Sequence, residues 1–139
     1  MSTLKVNTIQ NASGGSASTT DNIQQGIAKA WVNFNGTTVT SSNDLTGVRD
    51  SFNIAGITDN DTGDYTITMT SSAVANANYA VVGSAGIANA FLSLYIHAKS
   101  TGTLQQDPTT TVFRVVTAYS GSNGNREDSS HVAVAVFGD

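Results

Sequence analysis

No cysteine occurs in the 139 residues, so disulfides, thiolate metal sites and cysteine nucleophiles are excluded together. Charge is also scarce. Only 12% of residues are charged, the net charge is −4, and the six basic residues are scattered, leaving no basic patch for nucleic acid or an anionic membrane. No apolar run approaches the ~20 residues that span a bilayer, so membrane insertion is not expected. No apolar core of about 7–15 residues follows a basic start, so no secretory signal is predicted.

Catalytic chemistry has little to work with. The two histidines, His97 and His131, fall on separate predicted strands, and no G-x-S-x-G setting supplies a nucleophile. Both read as surface or interface residues. Glu127 is the only glutamate, and most aspartates sit beside Gly or Asn in loops, so no carboxylate pair for glycoside cleavage is marked out. Phosphate-binding and dinucleotide-binding glycine motifs lack their strand–turn–helix setting. "DNDTGD" carries Asp59, Asp61, Gly63 and Asp64 but no closing glutamate, and reads as a hairpin loop instead of a calcium loop. The expectation is a protein that is not an enzyme, with no cofactor and no metal.

What is present is Thr, Ser, Asn and Gly in quantity, with 39% hydrophobic residues in strand-like alternation. Such a length fits one domain with a real core. Residues 1–20 read as a polar arm, its Leu4, Val6 and Ile9 interrupted by Lys5 and Asn7, closing in a Gly/Ser-rich flexible linker. Asp21 followed by Gln24 has the form of a capping box and predicts a helix over 21–30. Ile23, Ile27 and Ala30 would then line one apolar stripe, suited to a three-chain seam.

From Ala28 the period changes to two. Strands are predicted over 28–34, 37–41, 49–54, 65–70, 79–84, 91–98, 111–119 and 131–137. In the cleanest of these, Tyr65, Ile67 and Met69 point one way and three threonines the other. Phe52 and Ile54 are expected on one face of their strand. Residues 91–98 are apolar on both faces, which predicts a central strand or an interface. About eight strands with turn signals between them predict an all-β, antiparallel, jelly-roll-like sandwich, with residues 21–139 as its domain. Trp31, Tyr95 and Tyr119 are placed off the main core face, as subunit contacts or as sugar platforms.

Two stretches carry a resemblance. "STLKVNTIQNASGGSAST" resembles the opening of many bacteriophage structural proteins, especially those of cyanophages. Ala28 to Gly83 resembles a module recurring in phage tail fibres and related virion proteins, most clearly at Ala28 to Phe34, Arg49 to Asn53 and Ile57 to Tyr65. Members often have Gly where this chain has Asp61. The resemblance implies a virion surface component that is a homotrimer, held to other virion proteins by the arm through Leu4, Val6 and Ile9. A tail fibre contacting the host surface, such as a glycan there, would read it with "SGSNGNREDSS" and the 99–110 segment. The alternatives are a capsid decoration or cement protein, a capsule-degrading fibre tip, and a free carbohydrate-binding module.

Overall fold

The computed structural model describes residues 2–15, 17–87, 92–96, 107–120 and 125–138. Thr8–Ile9 (β1) and Ser18–Thr19 (β2) pair as a short antiparallel ribbon ahead of one helix, Thr20–Gly26 (α1). Eight strands follow: Ala30–Phe34 (β3), Val48–Phe52 (β4), Ile54–Asp61 (β5), Asp64–Met69 (β6), Ala80–Gly86 (β7), Leu92–Ile96 (β8), Val112–Tyr119 (β9) and His131–Phe137 (β10). They form two antiparallel four-stranded sheets, ordered β4-β3-β10-β7 and β5-β6-β9-β8. This is the expected all-β sandwich, with the two-sheet, eight-strand layout that jelly rolls share.

Alternation builds the core between the sheets. Ala30, Val32 and Phe34 of β3 and Val132, Val134 and Val136 of β10 face inward from the first sheet. From the second come Tyr65, Ile67 and Met69 of β6 with Phe113 and Val115 of β9. The threonines of β6 lie on the opposite side, as their spacing predicts. Each large apolar side chain so buried stabilises the fold by about 1.5–3 kcal/mol. Two edge-to-face ring pairs lock the centre: Phe34 on Tyr65 at 5.3 Å and Tyr79 on Phe113 at 6.2 Å between centroids.

Four expectations need correction. The stretch 37–41 is not a return strand. Asn35 accepts hydrogen bonds from the Thr37 backbone N–H and hydroxyl at 3.2 and 2.9 Å, and so caps a 3-10 turn at Gly36–Thr38. β3 pairs with β4 and β10 instead. Phe52 and Ile54 do not share a strand, because Asn53 takes φ 55° and turns the chain from one sheet to the other. Among the described residues β8 pairs with β9 alone and closes its sheet, which corrects the central-strand half of the expectation for 91–98 and leaves the interface half untouched. Of that prediction, Phe91 and His97 lie outside the described residues.

The helix is the fourth. Its N-cap is Thr19, whose hydroxyl accepts from Asn22 N–H at 3.2 Å, and it ends at Gly26, where Ile27 is already extended at φ −90°, ψ 133°. Ala30 belongs to β3 and is fully buried in the sandwich. Ile23, Ile27 and Ala30 therefore share no helical stripe. Ala30 fitted both the helical period and the strand period, and burial with Val32 and Phe34 decided for the strand.

Candidate functional site

One end of the sandwich is built by the β5–β6 hairpin and the segment 125–130. Gly63 turns the hairpin at φ 64°, and a Cβ there would stand 2.5 Å from the Thr117 carbonyl oxygen. Only glycine meets both demands. The carboxylates of "DNDTGD" are engaged within the protein. Arg114 donates from Nε and Nη2 to Asp64 Oδ1, the first at 3.1 Å, and Asp64 is fully buried. Arg126 reaches Asp61 Oδ2 at 3.2 Å and the Thr62 carbonyl at 3.3 Å. Asp128 Oδ1 accepts from Gly63 N–H at 2.6 Å and from the Tyr65 hydroxyl at 2.8 Å.

Asp59 is the exception. Its Oδ1 is buried with no hydrogen-bond partner, and burial, then the nearby charge of Asp128, push its carboxyl above the ordinary aspartate range. Among the described residues, no group of three or more acids or histidines is placed to hold a metal ion. Beside this network lies an open groove of about 550 Å³ lined by Asp61, Thr62, Tyr119, Asn125, Arg126 and Glu127. It adjoins the hydrophilic "SGSNGNREDSS" loop, of which residues 121–124 lie outside the described set, as do 99–106 of the other expected loop. His131 is exposed at the start of β10, its Nδ1 3.2 Å from the Ser130 hydroxyl oxygen.

The arm presents the second feature. Leu4 is 85% exposed, Val6 41% and Ile9 53%, so none of them joins the core of its own domain. Around Ile9 the chain folds back, Thr8 opposite Thr19 and Ile9 opposite Ser18, with the Asn7 carbonyl accepting from Thr20 N–H at 3.1 Å. The linker closes this ribbon, with Asn11 Oδ1 accepting from the Ser13 hydroxyl and Gly15 N–H, both at 2.9 Å.

The three singled-out aromatics are not brought together. Trp31 lies on the outer face of the first sheet, in alternation with buried Ala30 and Val32. Tyr95, 47% exposed, lies on the outer face of the second, opposite Val116. Tyr119 stands at the end of β9 in the polar groove. What sequence reasoning missed is Phe52. It is 48% exposed and pairs with Trp31 across β3 and β4, which the kink at Asn53 makes possible. An asparagine, a residue that tolerates positive φ, between two β-like runs was the available signal. Phe52 also borders an open groove of about 720 Å³, with exposed Ile27 and Thr110, half-buried Lys29 and buried Val74 among its walls.

Fold and surfaces together define a two-sheet antiparallel β-sandwich with a polar N-terminal arm that exposes Leu4, Val6 and Ile9, and with polar loops at one end. Compared with known proteins, the chain matches no family model, no curated protein and no solved structure.

Proposed function

We propose that this chain is a structural and binding protein of a tailed-phage particle, a tail fibre or comparable appendage contacting the host surface. The observation that supports it best is the arm. Three apolar side chains, Leu4 and Val6 at strand spacing and Ile9 three residues on, stand exposed beside a sandwich whose core is complete without them. A polar chain gains nothing by leaving such a row in water, whereas a partner's sheet edge or groove can take it up by strand addition. The polar groove around Tyr119 and Arg126 is the surface for reading a host glycan, its ring and charged groups suited to sugar hydroxyls. Binding, not bond cleavage, is the role assigned to it.

A second reading, a capsid decoration or cement protein, draws on the same arm together with the apolar outer face of the first sheet. Both features suit contact with other protein better than contact with solvent. Labelling the protein in intact particles and imaging them decides between the two. Density at the tail supports the appendage; density at capsid junctions moves the protein to the head; absence from the particle overturns both. Release of reducing ends from host polysaccharide by the pure protein would overturn the non-catalytic assignment.

A further inference from the structure

The outer face of the first sheet carries an apolar row that crosses all four strands. Register places Phe52 of β4 beside Trp31 of β3, Trp31 beside Ala135 of β10, and Ala135 beside Val82 of β7. These four side chains project away from the core, and Phe52 and Val82 are 48% and 53% exposed. The row through Ala133 is polar, with Asp50, Asn33 and Ser84 on the other three strands, and the row through Phe137 adds a half-buried ring beside Ala80. A solvated sheet face normally alternates with polar residues, as the threonines of β6 do on the other sheet. The Phe52–Trp31–Ala135–Val82 row is instead apolar from edge to edge, the make-up of an interface centre, and the polar row beside it forms a rim.

We propose that a second copy of this chain covers this face, the two first sheets packing outer face to outer face about a two-fold axis parallel to the strands. The order of sizes along the row selects this occupant. Two bulky rings, Phe52 and Trp31, occupy one half, and the small Ala135 and medium Val82 the other. An axis running between β3 and β10 sets Trp31 of one copy over Ala135 of its partner, and Phe52 over Val82. Large then meets small at every step, which is the self-complementarity an isologous contact requires. Aligned sheets pack about 10 Å apart, the depth such interdigitated side chains fill.

The area fits a weak dimer. Four strands at about 4.8 Å spacing and the seven residues of β10 at about 3.4 Å each give a flat footprint of about 450 Å². Phe52 and Trp31 rise within that footprint, already partly buried in the single chain, and add no second area to it. The contact is about half of the ~800 Å² per partner of a standard interface, the size of a weak, reversible dimer. A glycan is the poorer occupant, because the alanines and Val82 offer no hydrogen bonds and the face is flat instead of concave. The proposal stands on this face alone and is independent of any virion role.

Trp31, the only tryptophan, reports on the contact directly. Sedimentation equilibrium of the full chain at micromolar concentration should give twice 14.3 kDa. On dilution, the Trp31 emission should shift to the red with the same midpoint as the mass. Val82→Arg, on an edge strand where charge is tolerated, should raise the dissociation constant at least tenfold while the circular dichroism spectrum is kept. Ala135→Arg is the second variant, with the same expectation. A monomer at 100 micromolar, a three-chain species, or a dimer whose Trp31 emission and affinity ignore both variants would each overturn the proposal. So would quenching of Trp31 in a monomer by a soluble oligosaccharide, which would make the face a sugar platform.

Discussion

The Tyr65 hydroxyl donates to Asp128 Oδ1 across 2.8 Å, joining two residues 63 positions apart at the hairpin end of the sandwich. Tyr65 is fully buried, and burial followed by the Asp128 hydrogen bond pushes its phenol far above the usual tyrosine range. Tyr65→Phe keeps the ring contact with Phe34 and loses only the hydroxyl. Asp128 retains the Gly63 N–H, so the cost should be that of one charge-assisted hydrogen bond, about 1.5–3 kcal/mol. Urea unfolding at pH 7 measures it; an unchanged midpoint would show that the bond contributes nothing net.

The Asp64–Arg114 pair is unequal, the acid fully buried and the arginine side chain 13% exposed. Arg114→Met should therefore destabilise by about 3 kcal/mol, because it takes the cation from a buried carboxylate and leaves it neutral donors such as the Asn60 amide at 3.2 Å. Asp64→Leu combined with Arg114→Met should cost markedly less than Arg114→Met alone. Chemical denaturation of both variants tests this, and equal losses would place the destabilisation in packing instead of charge.

Much of this fold could be read from the chain. Tyr65, Ile67 and Met69 announced β6, and the valines of β10 announced the last strand, because burial on one face imposes period two. The functional surfaces were less legible, for a physical reason. Asp64 meets Arg114 and Tyr65 meets Asp128 only after β6 has paired with β9 and the 125–130 segment has folded over the hairpin. No local period encodes such long-range partners. Phe52 was hidden in the same way. Its run looked continuous with Ile54, and only the φ of Asn53 divides them between sheets and turns Phe52 toward Trp31.

Asp59 is the residue least suited to its place. The fold holds its proton to higher pH than the unfolded chain does, so its contribution is full below pH 3.8 and is lost as pH rises through its folded value. At pH 7 it is a charge without a partner for Oδ1, repelled by Asp128. Asp59→Asn should raise stability at neutral pH by about 0.5 kcal/mol or more. It should flatten the slope of stability against pH between 4 and 7. A thermal melt series over that range would refute the assignment if the slope stayed the same.

Tyr79 sets a limit on the alkaline side. Its hydroxyl donates to the Thr109 and Val112 carbonyls at 2.9 and 3.2 Å, and burial pushes its phenol up to about 12. Below pH 10 the protonated ring is equally available folded and unfolded. Above pH 10 the unfolded chain sheds the proton first, so stability falls as pH rises toward about 12. Tyr79→Phe should remove part of that decline. Urea midpoints at pH 8, 9.5 and 11 should converge between variant and parent as pH rises; parallel curves would exclude Tyr79 as a source.

The arm should be separable from the fold. Its apolar residues make no part of the core, and Thr19, which caps α1, lies beyond residue 15. Deleting residues 1–15 removes β1 and the Asn7 bond to Thr20 but keeps that cap. Stability should change by no more than about 0.5 kcal/mol, as for other surface changes. If the arm is the attachment element, the shortened chain should fold normally and fail to join the particle. Leu4→Asp with Val6→Asp in the full-length chain should reproduce the failure without shortening anything. Normal incorporation of both variants would assign attachment to the sandwich and leave the exposed arm without that role.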